Sequence, residues 1–259
     1  MHIHYVTFNS YRQKGFAFTR MDGMMGYLFV YFKTPTLLQI RDDSYTISEP
    51  GVVIIEPYTP FKYTPLTENY YDDYIHFSPK DESKFSSKLH FPLNIPIKIS
   101  NDMCISPITK AISQQHRESC PFMSDIQYHH IMLLVLRIAE EWIACNQINP
   151  DTPYFQRLTA LRTKIHESPS KQWRIQEMAN EVMLSPAYFQ ILYKQAFGVT
   201  CMTDVIQTKI QTAKKLLTST DMLVSEIADE LGYNQVYHFI RQFKKITGMT
   251  PGAFRKMTQ

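Results

Sequence analysis

The chain has 259 residues, 44% of them hydrophobic and 20% charged, which excludes a disordered or fibrous protein and fits two globular domains. Its net charge of +3 hides an asymmetry: residues 1–154 hold 13 Lys+Arg against 16 Asp+Glu, whereas 155–259 hold 14 against 8. The basic second half reads either as the electrostatic footprint of a polyanion partner or as a solvated surface rich in lysine.

The first half reads as strands and then helices. Residues 26–32 (GYLFVYF) form an aromatic, β-branched run of strand length. Leu37–Arg41 alternates, Tyr45–Ile47 follows an Asp-Asp-Ser turn, and Val52–Ile55 follows Pro50-Gly51. Tyr70–Phe77 alternates again, although Asp72 and Asp73 interrupt it. Short strands punctuated by Gly, Pro and Asp predict an antiparallel sandwich or barrel over 1–104. From Ile105 to Asn146 the pattern turns helical. Its run Ile131–Leu136 is far short of the ~20 apolar residues a membrane span needs, and no signal-like segment opens the chain. A cytoplasmic protein with no membrane partner is expected. Ile131, Leu134, Val135, Ile138 and Trp142 make this segment more apolar than a helix lying on a small barrel requires; a homodimer partner would take the excess, the other reading being one helix buried inside its own domain. Residues 147–154, with Pro150, Asp151 and Pro153, read as a linker. The four cysteines are scattered without a CxxC pair, which argues against a disulfide framework or a cysteine zinc site.

Residues 155–259 contain a repeat. Met178-Ala179-Asn180-Glu181-Val182 returns as Ile227-Ala228-Asp229-Glu230-Leu231, and Tyr193 to Thr200 returns as Phe243 to Thr250. Each copy reads helix, tight turn, helix, over about 174–197 and 223–247. In the second, Gly232 supplies the turn's positive φ and Asn234 can cap the next helix. In the first, Ser185 caps and Pro186 opens the helix, but Met183 stands where the other copy has Gly232. That turn is expected to be strained or built differently. Asp204–Leu217 forms an amphipathic helix joining the copies.

The runs Ile227-Ala228-Asp229-Glu230-Leu231-Gly232-Tyr233, Tyr237 to Lys245, and Thr247-Gly248-Met249-Thr250-Pro251 with Phe254-Arg255 resemble the signature of AraC/XylS-type transcription regulators. Weaker likenesses in the first half are Arg20 with Gly26-Tyr27-Leu28, Glu49-Pro50-Gly51, Pro57 to Pro60 and Tyr74-Ile75-His76-Phe77. The resemblance implies an α+β, multi-domain protein: an N-terminal cupin-like β-barrel with dimerisation helices, then an all-α domain with two helix-turn-helix motifs. It implies a sequence-specific regulator of double-stranded DNA, an activator by family habit, with a small-molecule effector, a sugar, in the barrel. A homodimer and a contact with RNA polymerase are the further partners it implies. The second helix of each motif would enter the major groove, one helical turn from the other. Base-reading candidates are Ala187, Gln190 and Ile191 in the first copy and Gln235, Tyr237, His238 and Arg241 in the second. Phosphate candidates are Ser185, Lys194, Asn234, Lys244, Lys245 and Arg255. Effector candidates, chosen by resemblance and expected inward position, are Arg20, Tyr31, Gln39, Arg41, Tyr63, Tyr74 and His76. The segment before Gly26, with Gly15 and Gly23, would be an arm that folds over the effector.

An enzyme is the competing class. His2, His4 and His76 are spaced for strand faces, but His129 and His130 point about 100° apart on a helix, and Phe61 stands where a metal-binding barrel corner would offer a histidine. With no phosphate-binding glycine loop, nucleophile elbow or ligand triad, no enzyme activity, no metal and no cofactor are expected. The alternative regulator uses its barrel only to dimerise or to bind a protein partner. A cupin-type enzyme fused to a DNA-binding domain is the remaining reading.

Overall fold

The structure, a computed structural model, describes residues 1–13, 15–86, 88–116, 120–146, 148 and 152–258. The chain divides into two compact units, 1–85 with 91–148, and 86–90 with 149–259. Residues 86–90 therefore belong with the second unit, although their place in the sequence puts them in the barrel.

The first unit begins with eight strands: β1 (His2–Gln13), β2 (Phe18–Arg20), β3 (Tyr27–Phe32), β4 (Thr36–Ile40), β5 (Asp43–Ile47), β6 (Gly51–Ile55), β7 (Phe61–Pro65) and β8 (Asn69–Ser78). The helix α1 (Glu82–Ser86) and the short strand β9 (Ile97–Lys98) follow. The strands make two antiparallel sheets, ordered β1-β8-β3-β6-β9 and β2-β7-β4-β5. Leu28, Val30 and Phe32 of β3, Val53 and Ile55 of β6, Leu38 and Ile40 of β4, and Phe61 and Tyr63 of β7 form one buried cluster with Tyr70. Period-two alternation explains the set, since every second side chain of each strand meets this core. The outer face of β3 is buried as well, by Tyr27, Phe29 and Tyr31, which is why its sequence shows an unbroken apolar run.

The helices α2 (Ser106–Gln115) and α3 (Met123–Cys145) cover part of the five-stranded sheet, α2 against β1 and β8, and α3 against β1 and β9. The two acids that break the alternation of β8 are accounted for on opposite faces. Asp73 points outward, accepting from Thr109 of α2 at 2.7 Å and pairing with Lys33 at 2.7 Å. Asp72 points inward.

Two expectations for this unit need correction. The segment before Gly26 is not a free arm: β1 pairs with β8 from His2–Ser78 to Gln13–Asn69, and β2 pairs with β7. The residues proposed for dimerisation also lie inside the unit, for Ile131, Leu134, Val135 and Ile138 are buried by their own chain and Trp142 is half-buried. The apolar side chains that α3 turns to solvent are Leu133 and Leu136.

The second unit is helical: α4 (Pro153–Glu167), α5 (Ile175–Glu181), α6 (Pro186–Phe197), α7 (Cys201–Ser219), α8 (Val224–Glu230), α9 (Val236–Thr247) and α10 (Pro251–Thr258). Pro153 and Tyr154 start α4, so the stretch read as linker is shorter than expected, and residues 147 and 149–151 fall outside the described residues. The helix α7 is the spine. Val205, Ile210, Ala213 and Leu217 are buried along it, and it packs against α4, α6, α8, α9 and α10. Among the described residues no helix is long and apolar enough to cross a membrane.

Candidate nucleic-acid interface and ligand site

The two copies build the same turn atom for atom. In the first, the Met183 and Leu184 amides donate to the carbonyls of Asn180 and Ala179, each at 3.0 Å. In the second, the Gly232 and Tyr233 amides donate to Asp229 and Ala228, each at 2.9 Å. Both turns use a left-handed residue, Met183 at φ 60° and Gly232 at φ 71°. Ala179 and Ala228 are wholly buried where the paired helices meet, and a larger side chain there would push them apart. The expected strain at Met183 is therefore present.

Past the turns, α6 and α9 each bury one side and expose the other. Phe189, Leu192 and Tyr193 face inward on α6, as do Phe239 and Phe243 on α9. The exposed side of α9 presents Tyr237, His238 and Arg241, with Gln235 just before it and Lys244 and Lys245 in the last turn. The exposed side of α6 presents Ala187, Gln190 and Ile191, with Lys194 in its last turn. Tyr188, half exposed beside them, was missed from the sequence because its aromatic ring reads as core.

Several sequence-derived roles change. Ser185 does cap α6, its Oγ accepting the Tyr188 amide at 3.4 Å. Asn234, however, is not the cap of α9; that position is Gln235, without a side-chain bond. Arg255 is turned into its own fold, donating to the carbonyls of Leu217 at 3.3 Å and Met222 at 2.5 Å. It ties α10 to the end of α7 rather than reaching toward phosphate. Gln190 folds its amide back on the Pro186 carbonyl at 3.3 Å, so it must release that bond before it can meet a base.

The second helices of the two copies are held differently. Behind α6, the buried Asp204 of α7 accepts from Arg162 Nε and Tyr193 Oη, each at 2.7 Å, and from His166 Nε2 at 3.1 Å. Burial alone would raise the carboxyl's pKa, but the Arg162 guanidinium and the His166 bond hold it well below the usual carboxylate range. Arg162 also donates to the Leu89 carbonyl. Behind α9, Phe239 and Phe254 pack edge-on against Phe243 at 5.8 and 5.5 Å. Lys209, buried on α7, donates to the carbonyl of Leu231 at 2.6 Å and so satisfies the end of α8.

The sheet interior gathers only some of the effector candidates. Tyr63 is buried in it, Tyr74 packs at its edge, and His76 donates to the Met25 carbonyl at 2.5 Å. Arg41 is half-buried, 3.6 Å from Glu56. Arg20 lies exposed over the Phe18 ring, and Gln39 points to solvent. Tyr31 is on the opposite face of its sheet, hydrogen-bonded to Asp102. Strand alternation places Tyr31 and Gln39 outside the inter-sheet core, whereas Arg20 shares the core-facing side of β2 with Phe18, pairs with Phe61 and is exposed at the end of its strand.

Asp72 is the acid that the sequence did not single out. It accepts from Tyr70 Oη at 2.7 Å and Tyr63 Oη at 3.3 Å, while its Oδ1 is buried with no hydrogen-bond partner. Burial pushes its carboxyl up to about 6, against the pull of the two tyrosine hydroxyls. Toward the other end of β8, the ring of His76 lies 4.5 Å from that of His4, which lies 4.6 Å from that of His2. Among the described residues no group of three His, Cys, Asp or Glu side chains is placed to hold a metal.

Two tight helix pairs, each presenting one helix and joined by a rigid spine, define a paired helix-turn-helix module, the class that reads DNA in transcription regulators. Residues 178–257 match the family described as helix-turn-helix domain. The chain is similar to the uncharacterized HTH-type transcriptional regulator YtdP of Bacillus subtilis (strain 168), 34% identical over 92 residues, 36% of this chain and 12% of the relative. It is similar also to the regulatory protein PocR of Salmonella typhimurium, 30% identical over 105 residues, 40% of this chain and 35% of the relative. The chain thus spans 12% and 35% of the lengths of these relatives. Among solved structures, ToxT from Vibrio cholerae aligns over 99% of both chains at 14% identity, with a TM-score of 0.48.

Proposed function

We propose that the chain is a sequence-specific regulator of transcription, an activator, that binds double-stranded DNA through α6 and α9 and senses a sugar between its N-terminal sheets. The observation that supports the DNA reading best is the pair of outward helices fixed to α7, in a region with 14 basic residues against 8 acidic ones. Arg241 is exposed at the middle of α9 and has the planar donor pair that matches guanine O6 and N7. Gln235, Tyr237 and His238 flank it, and Lys194, Lys244 and Lys245 supply phosphate contacts with little sequence information. Ser185 and Asn234 can add backbone contacts at the starts of the helices.

Selection of binding sites from random duplexes by the full chain tests this. The wild type should enrich one sequence of about two helical turns. Arg241→Ala should lose the preference at one guanine and about 1–3 kcal/mol of affinity. Equal weakening on every sequence would reduce Arg241 to a phosphate contact.

For the sensor, the support is the orphan Oδ1 of Asp72 among Tyr63, Tyr70 and Tyr74. Aromatic rings stack on sugar faces, and a carboxylate accepts a sugar hydroxyl. Thermal unfolding of the full chain against a sugar panel separates this from the reading in which the first unit only dimerises or binds a protein. Leu133 and Leu136, the exposed apolar pair of α3, favour a homodimer in either case.

A further inference from the structure

We infer that the two copies read different chemistry: α9 reads hydrogen-bonding base edges, while α6 reads the C5-methyl groups of thymine. The inference rests on the DNA-binding reading above and deepens it.

The repeat aligns Ala187, Tyr188 and Ile191 of α6 with Tyr237, His238 and Arg241 of α9, fifty residues on. Ile191 stands one helical turn from both Ala187 and Tyr188, as Arg241 does from Tyr237 and His238, so each trio lines one exposed side of its helix. Each trio holds one tyrosine, but on α9 it stands with His238 and Arg241, which can hydrogen-bond base edges, and on α6 with Ala187 and Ile191, which cannot, Ile191 being 64% and Tyr188 50% exposed. The charged residue of α6 is Lys194, in the last turn. Of its exposed amides, Gln190 is bonded to the Pro186 carbonyl, and Gln195 stands in the last turn beside Lys194. Ala187 and Ile191 have no side-chain hydrogen-bonding group, so this face meets a base edge chiefly through apolar surface. In the major groove, the apolar group that a base edge offers is the thymine methyl. An isoleucine, an alanine and a tyrosine ring present apolar surface for it to bury against, while the basic charge of the domain supplies the general attraction to the duplex.

The hub behind α6 favours this division. Asp204 fastens Tyr193 and Arg162 at 2.7 Å, so α6 is fixed to α7 and keeps its face in a set register relative to α9. Methyl contacts need that fixity, because they have no directional bond to correct a misplaced helix.

The test starts from the duplex that the full chain enriches from a random library. Arg241→Ala marks the half that α9 reads. In the other half, each thymine is replaced in turn by deoxyuridine, which deletes the methyl and leaves O4 unchanged. Two or more replacements should each weaken binding about fourfold, the value of one buried carbon. The same replacements in the α9 half should stay within about twofold. Ile191→Ala, checked for unchanged thermal unfolding because the side chain is exposed, should make at least one of the sensitive thymines indifferent to the methyl. If every replacement in the α6 half stays within twofold, or if that half enriches guanine, the inference fails while DNA binding stands. If the library yields no enriched sequence at all, the DNA-binding reading itself fails.

Discussion

Met183 and Gly232 fill the same place in the two copies, and the backbone asks the same left-handed turn of both, φ 60° and 71°. A side chain in that region costs roughly 1–2 kcal/mol, and Met183 recovers little by packing, since 79% of it is exposed. Met183→Gly should therefore stabilise the helical unit by roughly 0.5–1 kcal/mol, the relief of strain less the added freedom of the unfolded chain. Gly232→Ala should destabilise by more than the backbone term alone, about 2 kcal/mol, because a Cβ there would sit 2.5 Å from the Ser170 carbonyl oxygen. Urea unfolding at constant m value reads both. Destabilisation by Met183→Gly would mean that the exposed methionine makes contacts which outweigh the strain. The repeat shows which residue must bend; the sequence could not show that the methionine accepts the bend rather than rebuilding the turn.

At the scale of elements, α3 separates what periodicity reveals from what it leaves open. The pattern of Ile131, Leu134, Val135 and Ile138 correctly marks a buried face, and the structure covers that face with the chain's own fold. Leu134→Glu should accordingly unfold the first unit, by more than about 3 kcal/mol for a charge forced into a packed interior. Leu136→Glu, on the open side, should leave the fold intact and convert a dimer to folded monomers. Sedimentation with thermal unfolding distinguishes the two, and a wild-type chain that is monomeric at micromolar concentration would sink the α3 dimer. The same limit explains the strands. β3 and β6 are legible because apolar runs of strand length have few alternatives, whereas β1 is crossed by irregularities between Ile3 and Tyr5 and between Thr7 and Ser10, which destroy its period. The helix-turn-helix pairs were legible because turn, cap and small-residue signals are local and occur twice. Asp72 and Asp204 were not, because their partners define them: Arg162 lies 42 residues from Asp204, and Tyr63 nine from Asp72.

Taken as a whole molecule, the chain buries Asp72 in its first unit and Asp204 in its second, and these two respond to pH in opposite directions. Asp72 has its carboxyl raised to about 6 by burial, so the native first unit binds that proton more tightly than the unfolded chain does. Its contribution is complete below about pH 4 and is lost as pH rises through 6, on the order of 3 kcal/mol in all. Asp204 is lowered by Arg162 and His166, so its contribution is present above the ordinary carboxylate range and is lost as the solution becomes more acid than that. Raising the pH from 4 to 8 should therefore weaken the sheet unit and spare the helical one. Asp72→Asn isolates the effect, since an amide still accepts from Tyr63 and Tyr70 but cannot ionise. Calorimetry of the full chain should show the variant's sheet-unit transition several degrees above wild type at pH 8 and close to it at pH 4. A shift of the same size at both values would mean that the substitution acts through packing, and that the Asp72 proton has no part in the stability of the unit. A shift confined to pH 8 would identify Asp72 as a buried charge at neutral pH. That charge is what a hydroxyl donor entering between the sheets would stabilise most strongly by hydrogen bonding, which ties the pH response of the unit to its capacity to hold a ligand.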